Sequence, residues 1–182
     1  ITLANSISIT GDGIFTISGD KTATLNGLLS DTAENSAGKL VKSGDGTLVL
    51  GNASNTYTGG TQITGGTLSF DYATRTALGT GGIEVSQDST LLYAVNASGG
   101  KTTSLFSNNV TGTGTIILDN TGQDETKINN AVFAGFEGEL VLRGNLRFHG
   151  ETGDSLASIQ AITVESGTHL YICLLYTSDA AD

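Results

Sequence analysis

The chain has no proline, no methionine and no tryptophan, and its 182 residues include a single cysteine. Each absence excludes something. Proline cannot donate to a sheet ladder, so a Pro-free chain suits an architecture that uses nearly every backbone N–H. Disordered linkers generally carry proline, which argues against that class. A lone cysteine builds no disulfide framework and no thiolate metal site. Basic residues are scarce: 8 Lys+Arg against 18 Asp+Glu give a formal net charge of −10. Nothing here neutralises a row of phosphates, so nucleic acid is not an expected partner. The acidity itself reads as solubility. No apolar run approaches the ~20 residues that a membrane helix needs. No apolar stripe holds a 3.6-residue period beyond about two turns, and no secretory leader is recognisable. With no starting Met, the sequence reads as a piece of a longer protein.

What is abundant is glycine, 26 residues, about twice the usual share of roughly 7%. It comes without a collagen period and alongside much threonine. The stretch NTYTGGTQITGGTLSF (Asn55 to Phe70) shows how glycine and strand coexist. Gly59-Gly60 and Gly65-Gly66 are expected at corners, where φ turns positive and no Cβ fits. Thr61 to Thr64 is then one short strand and TLSF the next. Thr suits a strand with a wet outer face. The GDG pairs at Asp12 and Asp45 read as tight turns by the same logic.

A short strand motif recurs: GTLVL (Gly46 to Leu50), GTLSF (Gly66 to Phe70), STLLY (Ser89 to Tyr93), GTIIL (Gly114 to Leu118), GELVL (Gly138 to Leu142) and GTHLY (Gly167 to Tyr171). GIFTI (Gly13 to Ile17) and TATLN (Thr22 to Asn26) read as weaker upstream copies. Each copy has two apolar positions on one face, and none buries that face alone. Stacking does: Leu48, Leu50, Leu68, Phe70, Leu91, Ile116, Leu118, Leu140 and Leu142 are expected to point inward in columns. Successive copies run the same way with no helix between them, so short turns carry the chain around a coil. The expected fold is all-β, a parallel β-solenoid with coils of roughly 20 to 25 residues.

Leu40 to Phe70, LVKSGDGTLVLGNASNTYTGGTQITGGTLSF, resembles the passenger-associated β-strand repeat of bacterial autotransporters. Lys42, Gly44, Gly46, Thr47, Leu48, Leu50, Asn55, Tyr57, Gly59, Gly60, Thr61, Gly65, Gly66, Thr67 and Leu68 sit on the family pattern. ALGTGGIEV (Ala77 to Val85) resembles its usual continuation. The resemblance implies a right-handed parallel β-helix, here an uncapped fragment. It also implies export to the cell surface across the bacterial outer membrane, by a C-terminal outer-membrane β-barrel of the same full-length chain. Scarcity of cysteine fits that route, because a disulfide formed in the periplasm would obstruct threading.

The last ten residues, CLLYTSDAAD (Cys173 to Asp182), break these trends: they hold the only cysteine, no glycine and no alternation. They resemble the translation of a transposon-end sequencing adapter. On that reading residues 1–172 are a β-helical passenger fragment and 173–182 a non-native tail. Asp179 and Asp182 leave with the tail, which brings the formal charge to −8.

Chemistry is sparse. His149 and His169 lie in strand-like stretches without the partners that a triad or a metal site requires. GTGG (Gly79 to Gly82) and GTGT (Gly112 to Thr115) are glycine turns lacking a following helix and a P-loop lysine. The GDG turns lack the tandem series of a calcium-binding repeat. Asp119, Asp124 and Glu125 lie in a polar insertion, DNTGQDETKINN, expected to be a solvated loop. Asn52, Asn96 and Asn109 fit N-x-[ST], which is uninformative in a bacterial setting. No catalytic, cofactor-binding or metal residue is therefore expected, and no small-molecule cofactor. Carboxylates far apart in sequence can still stack on a β-helix. The leading reading is a non-enzymatic, surface-exposed or secreted stalk or spacer, adhesin-like, with host or surface glycans or proteins as partners. The alternatives are a β-helical polysaccharide-active enzyme fragment and a carrier for a functional domain elsewhere in the full protein. Both ends lack a cap, and residues 1–172 are expected to associate end to end.

Overall fold

The structure is a computed structural model and describes residues 1–32, 36–95, 106–122, 125–128, 130–150 and 156–174. It is nearly all β, a parallel β-solenoid of about six turns. The first coil comprises β1 (Thr2–Leu3), β2 (Ile7–Ile9) and β3 (Asp12–Thr16), and the second β4 (Thr22–Leu25), β5 (Leu29–Asp31) and β6 (Lys39–Ser43). Two strands per coil follow: β7 (Thr47–Leu50) and β8 (Thr61–Ile63), β9 (Gly66–Asp71) and β10 (Ile83–Val85), β11 (Ser89–Ala94) and β12 (Val110–Gly112). Then come β13 (Thr115–Asn120), β14 (Thr126–Ile128), a 3-10 turn at Asn130–Phe133, β15 (Gly135–Phe136), β16 (Glu139–Gly150), β17 (Ala161–Val164) and β18 (His169–Leu174).

Three walls result. One stacks β1, β4, β7, β9, β11, β13, β16 and β17, and a second stacks β3, β6, β8, β10, β12 and β15. Between them in chain order lie β2 with β5 at one end and β14, β16 and β18 at the other. Every recorded pairing is parallel, as the absence of crossover helices requires.

The register explains the motif. On the first wall Ala23, Leu48, Leu68, Leu91, Ile116 and Leu140 align coil upon coil. Two residues on, Leu25 lies under Leu50, and Phe70, Tyr93, Leu118 and Leu142 continue the row. All nine residues expected to face inward are buried, none more than 1% exposed. Each buried Leu contributes roughly 1.5–3 kcal/mol relative to exposure, so the columns dominate stability. Phe70, Tyr93 and Phe106 meet with ring centroids 4.9–6.0 Å apart. Facing outward, Thr22, Thr47, Thr67, Thr90 and Thr115 form one aligned row.

The expected corners are present. Gly60 and Gly66 have φ of 86° and 60°, and a Cβ on Gly60 would meet Gly82 O at 2.6 Å. Coils stack too closely there for a side chain. The turn at Gly44-Asp45-Gly46 also holds. At the other GDG the corner is Gly11, with φ 61°, and Asp12 already begins β3.

Three readings are corrected. GIFTI is not a copy of the first-wall motif: Gly13 to Thr16 pair with Leu40 to Ser43 on the second wall. GTHLY does not stack on GELVL either. AITV (Ala161 to Val164) takes that place, while β18 pairs with the second half of β16. Gly144, φ 80°, turns β16 from one wall to the next, a bend that alternation alone does not reveal. Finally, DNTGQDETKINN is not wholly a loop, because it supplies the end of β13 and all of β14. The backbone of β18 runs through Cys173 and Leu174, opposite His149 and Gly150, and residues 175–182 lie outside the described part.

Candidate functional site

The polar residues of Leu40 to Phe70 converge on two corners. At the first, Leu40 and Lys42 share the inward face of β6, and Lys42 is fully buried. Its Nζ donates to Ser43 O at 2.9 Å, Gly44 O at 2.8 Å and Gly65 O at 2.9 Å. Three donors thus meet three carbonyls drawn from two successive coils, and none is left over. Burial pushes the ammonium's pKa below its ordinary value, with nearby Asp45 pulling the other way. At the second corner, buried Asn55 accepts from Leu29 N at 2.9 Å and donates to Ala77 O at 2.8 Å. It therefore joins the coil before to the coil after. Tyr57 is buried beside it, its hydroxyl 2.7 Å from Thr61 Oγ1. Asn108 plays a similar part further on, donating to Gly79 O and Gly81 O at 3.1 and 2.6 Å.

Among the described residues the ion pairs lie on the outside. Arg143 on β16 reaches Glu165 at 2.9 Å and Asp119 at 3.6 Å. Burial raises the Asp119 pKa, but the hydrogen bonds from Thr121 and the Arg143 charge outweigh it, so the group stays ionised below the usual range. Arg147 pairs with Glu125 at 2.8 Å, and its guanidinium lies 5.3 Å from the Tyr171 ring. These carboxylates face arginines rather than one another, an arrangement that holds strands together more than it tunes an acid–base pair.

The other residues weighed from sequence are dispersed. His169 is exposed on β18 opposite Asn145, and His149 lies in β16 opposite Cys173. GTGG and GTGT open onto strands β10 and β13, not onto a helix N-terminus. Asn52 closes a local turn by accepting from Ser54 N, and Asn109 is exposed. Asp124 and Asn96 fall outside the described residues. Among the described residues no group of three His, Cys, Asp or Glu is placed to hold a metal ion, and no helix is long and apolar enough to cross a membrane.

Residues 40–70 match the family model of the passenger-associated-transport-repeat. This segment is such a repeat. Its Lys42, Asn55, Tyr57 and Thr61 are the residues just described, and all four are turned inward. Neither the curated proteins nor the solved structures yield a match. The repeat is one of autotransporter passengers, which are secreted to the cell surface or the extracellular space and pair with a C-terminal β-barrel. Sequence reasoning placed Lys42 and Asn55 on the family pattern without assigning them a task. The available signal was parity: Lys42 is two residues from Leu40 and so shares its inward face.

Proposed function

We propose that the chain is a structural passenger segment, an adhesin-like stalk or spacer displayed outside the cell, with no catalysis of its own. One observation carries this reading. The polar side chains that define the repeat are turned inward and bond to the chain's own backbone, Lys42 at its own corner and across to Gly65 O of the next coil, and Asn55 to the coils on either side. A solenoid built this way supplies length and a regular face. Its partners on this reading are the C-terminal outer-membrane β-barrel of the full-length chain and glycans or proteins on a facing surface.

Fusing the chain ahead of an autotransporter barrel in a Gram-negative host tests the display. Protease added to intact cells is expected to reach the passenger. Retention in the periplasm would overturn the assignment. Incubation of the purified chain with polysaccharides tests the other half. Turnover that a single Asp, Glu or His substitution abolishes would replace the structural reading with an enzymatic one.

A further inference from the structure

Asn26-Gly27 is the one Asn-Gly pair of the chain, and the structure sets it at a corner rather than in a ladder. β4 ends at Leu25 and β5 begins at Leu29. The corner belongs to the second coil, with the first coil on one side and the third on the other, so its exposure does not come from an open end. Asn26 is exposed. Its side chain lies over Gly51 of the next coil, where a Cβ would run into Oδ1. Among the described residues its carboxamide has no hydrogen-bond partner within the chain, whereas those of Asn52, Asn55, Asn108 and Asn120 are engaged. The Gly27 nitrogen is held loosely. It donates to Leu3 O at 3.3 Å, and that oxygen already accepts from Asn26 N at 2.8 Å. The longer bond lies outside the usual range of about 2.7–3.2 Å. No side chain shields the nitrogen, and none could stand there, since a Cβ on Gly27 would run into Asn5 O.

We propose that Asn26 is a site of spontaneous deamidation in the folded chain, with the Gly27 nitrogen as nucleophile and an aspartate or isoaspartate as product. Solvent base takes the Gly27 N–H proton, and the nitrogen attacks Cγ of Asn26. The N–Cγ bond forms, the Cγ–Nδ2 bond breaks, and the nitrogen that leaves takes a proton from water and departs as ammonia. Water then opens the five-membered succinimide at either carbonyl. The chain takes up one water and releases one ammonia, and nothing is oxidised or reduced. Opening at the main-chain carbonyl routes the backbone through Cγ. That lengthens the corner by one carbon and leaves a carboxylate where Asn26 O was. This oxygen accepts from Asn52 Nδ2 at 3.1 Å, so the new charge forms beside a donor on the next coil. The two Asp-Gly pairs are held differently. Gly46 N bonds to Ile17 O at 2.7 Å. Asp12 faces Lys39 at 3.8 Å, and the negative charge of a carboxylate repels a nucleophile that a neutral carboxamide admits.

Incubating the 182-residue chain in warm, mildly alkaline buffer and following its intact mass tests the proposal. The expected change is a gain of one dalton per chain, faster as the pH rises, with ammonia released in step. Tryptic mapping is expected to place the gain in the peptide Thr22 to Lys39, and fragmentation to place it at Asn26 rather than Asn35. Protein isoaspartyl methyltransferase is expected to label the same peptide. Asn26→Gln keeps an exposed carboxamide but needs a larger ring to react. In that variant the gain is expected to vanish while the circular dichroism stays unchanged. No gain from the folded chain, whatever a urea-unfolded sample does, would overturn the proposal, because the corner would then protect the pair. A gain that maps to another residue, or one that survives in Asn26→Gln, would overturn it as well. Should the glutamine disturb the corner, the map of the unaltered chain decides alone, since it reads the position directly.

Discussion

Replacing Lys42 by methionine isolates what a buried, fully hydrogen-bonded ammonium does for a solenoid corner. Methionine keeps the length and burial of the side chain and removes the three donors. Ser43 O retains a bond from Ile17 N at 3.0 Å. Gly44 O and Gly65 O, which held the lysine at 2.8 and 2.9 Å, lose it. A fully buried acceptor left without a partner costs about 1–3 kcal/mol; Gly44 O and Gly65 O are only part-buried, so roughly 2–6 kcal/mol is the upper range for the two together. Against this stands relief from desolvating a charge, a penalty of several kcal/mol for a buried ion. Three short charge-assisted bonds offset most of that penalty in the native protein. The expected net loss is therefore about 2–4 kcal/mol, toward the lower part of the carbonyl range. Urea unfolding followed by tyrosine emission measures it, since the chain has no tryptophan and Tyr57 is buried at the neighbouring corner. The midpoint should fall at unchanged slope. A methionine variant as stable as the original, or more so, would refute the reasoning. It would mean that the ammonium costs as much as its bonds return, as some buried ion pairs do.

Several other outcomes follow from the same geometry. Leu68→Asp puts a carboxylate between Leu48 and Leu91 in a fully buried column, and a loss above about 4 kcal/mol, melting the adjoining coils, is expected in thermal unfolding. At alkaline pH burial holds Tyr57 and Tyr93 well above their ordinary value of 10.0. Unfolded tyrosines then release protons that the native ones keep. Stability is complete below pH 10 and falls above it by up to about 1.4 kcal/mol per pH unit for each tyrosine, and Tyr57→Phe should flatten that slope in a pH series of urea midpoints. Lys42 acts oppositely. Its pKa is lowered, so between that value and 10.5 the unfolded chain holds the extra proton and its contribution to stability rises with pH. Deleting Cys173 to Asp182 removes from the described ladder only the pairs opposite His149 and Gly150, and a change within about 0.5 kcal/mol is expected. The codons of the nucleotide read test the adapter reading of that tail directly.

The first wall was legible because its rule is local. An apolar pair two residues apart, opened by Gly-Thr and repeated, needs only alternation to be read, and Leu48 through Leu142 lie where alternation puts them. The second wall was less legible because its strands are short. Ile83–Val85 and Thr61–Ile63 offer two inward positions each, too few to show a period, and their neighbours are set by corners. GIFTI looked like a first-wall strand because apolar alternation carries no label for the wall a strand joins. Spacing misled at GTHLY for a related reason. The motif reappeared 29 residues after GELVL begins, and an insertion seemed to explain the gap. The gap instead marks a coil in which β16 continues past Gly144 and supplies two walls, so the next first-wall rung is the glycine-free AITV.

The buried polar residues expose a different limit. Lys42 could be placed on the family pattern but given no task, because its role depends on three carbonyl oxygens, and a carbonyl has no letter in the sequence. Parity could place the side chain inside, but only the coil-to-coil distance shows that Gly65 O, 23 residues away, comes within 2.9 Å of Nζ. The same holds for Asn55, whose two partners lie 26 residues before it and 22 after. In a solenoid the contacts that matter recur at the coil length, which here varies with each corner. A residue's own neighbourhood therefore reveals which way it points, and the length of the intervening coil decides what it meets. Lengthening the Gly51 to Gly60 corner by one residue tests this separation. The Leu48 column should survive, because its pairing partner sits on the far side of a flexible addition, while the Asn55 bridge to Leu29 N and Ala77 O should be strained or lost. Hydrogen exchange at the Leu29 amide, which Asn55 Oδ1 accepts, would report it. Unchanged protection there would mean that corners absorb insertions without moving their inward residues, and that local sequence fixes more of the coil than these contacts suggest.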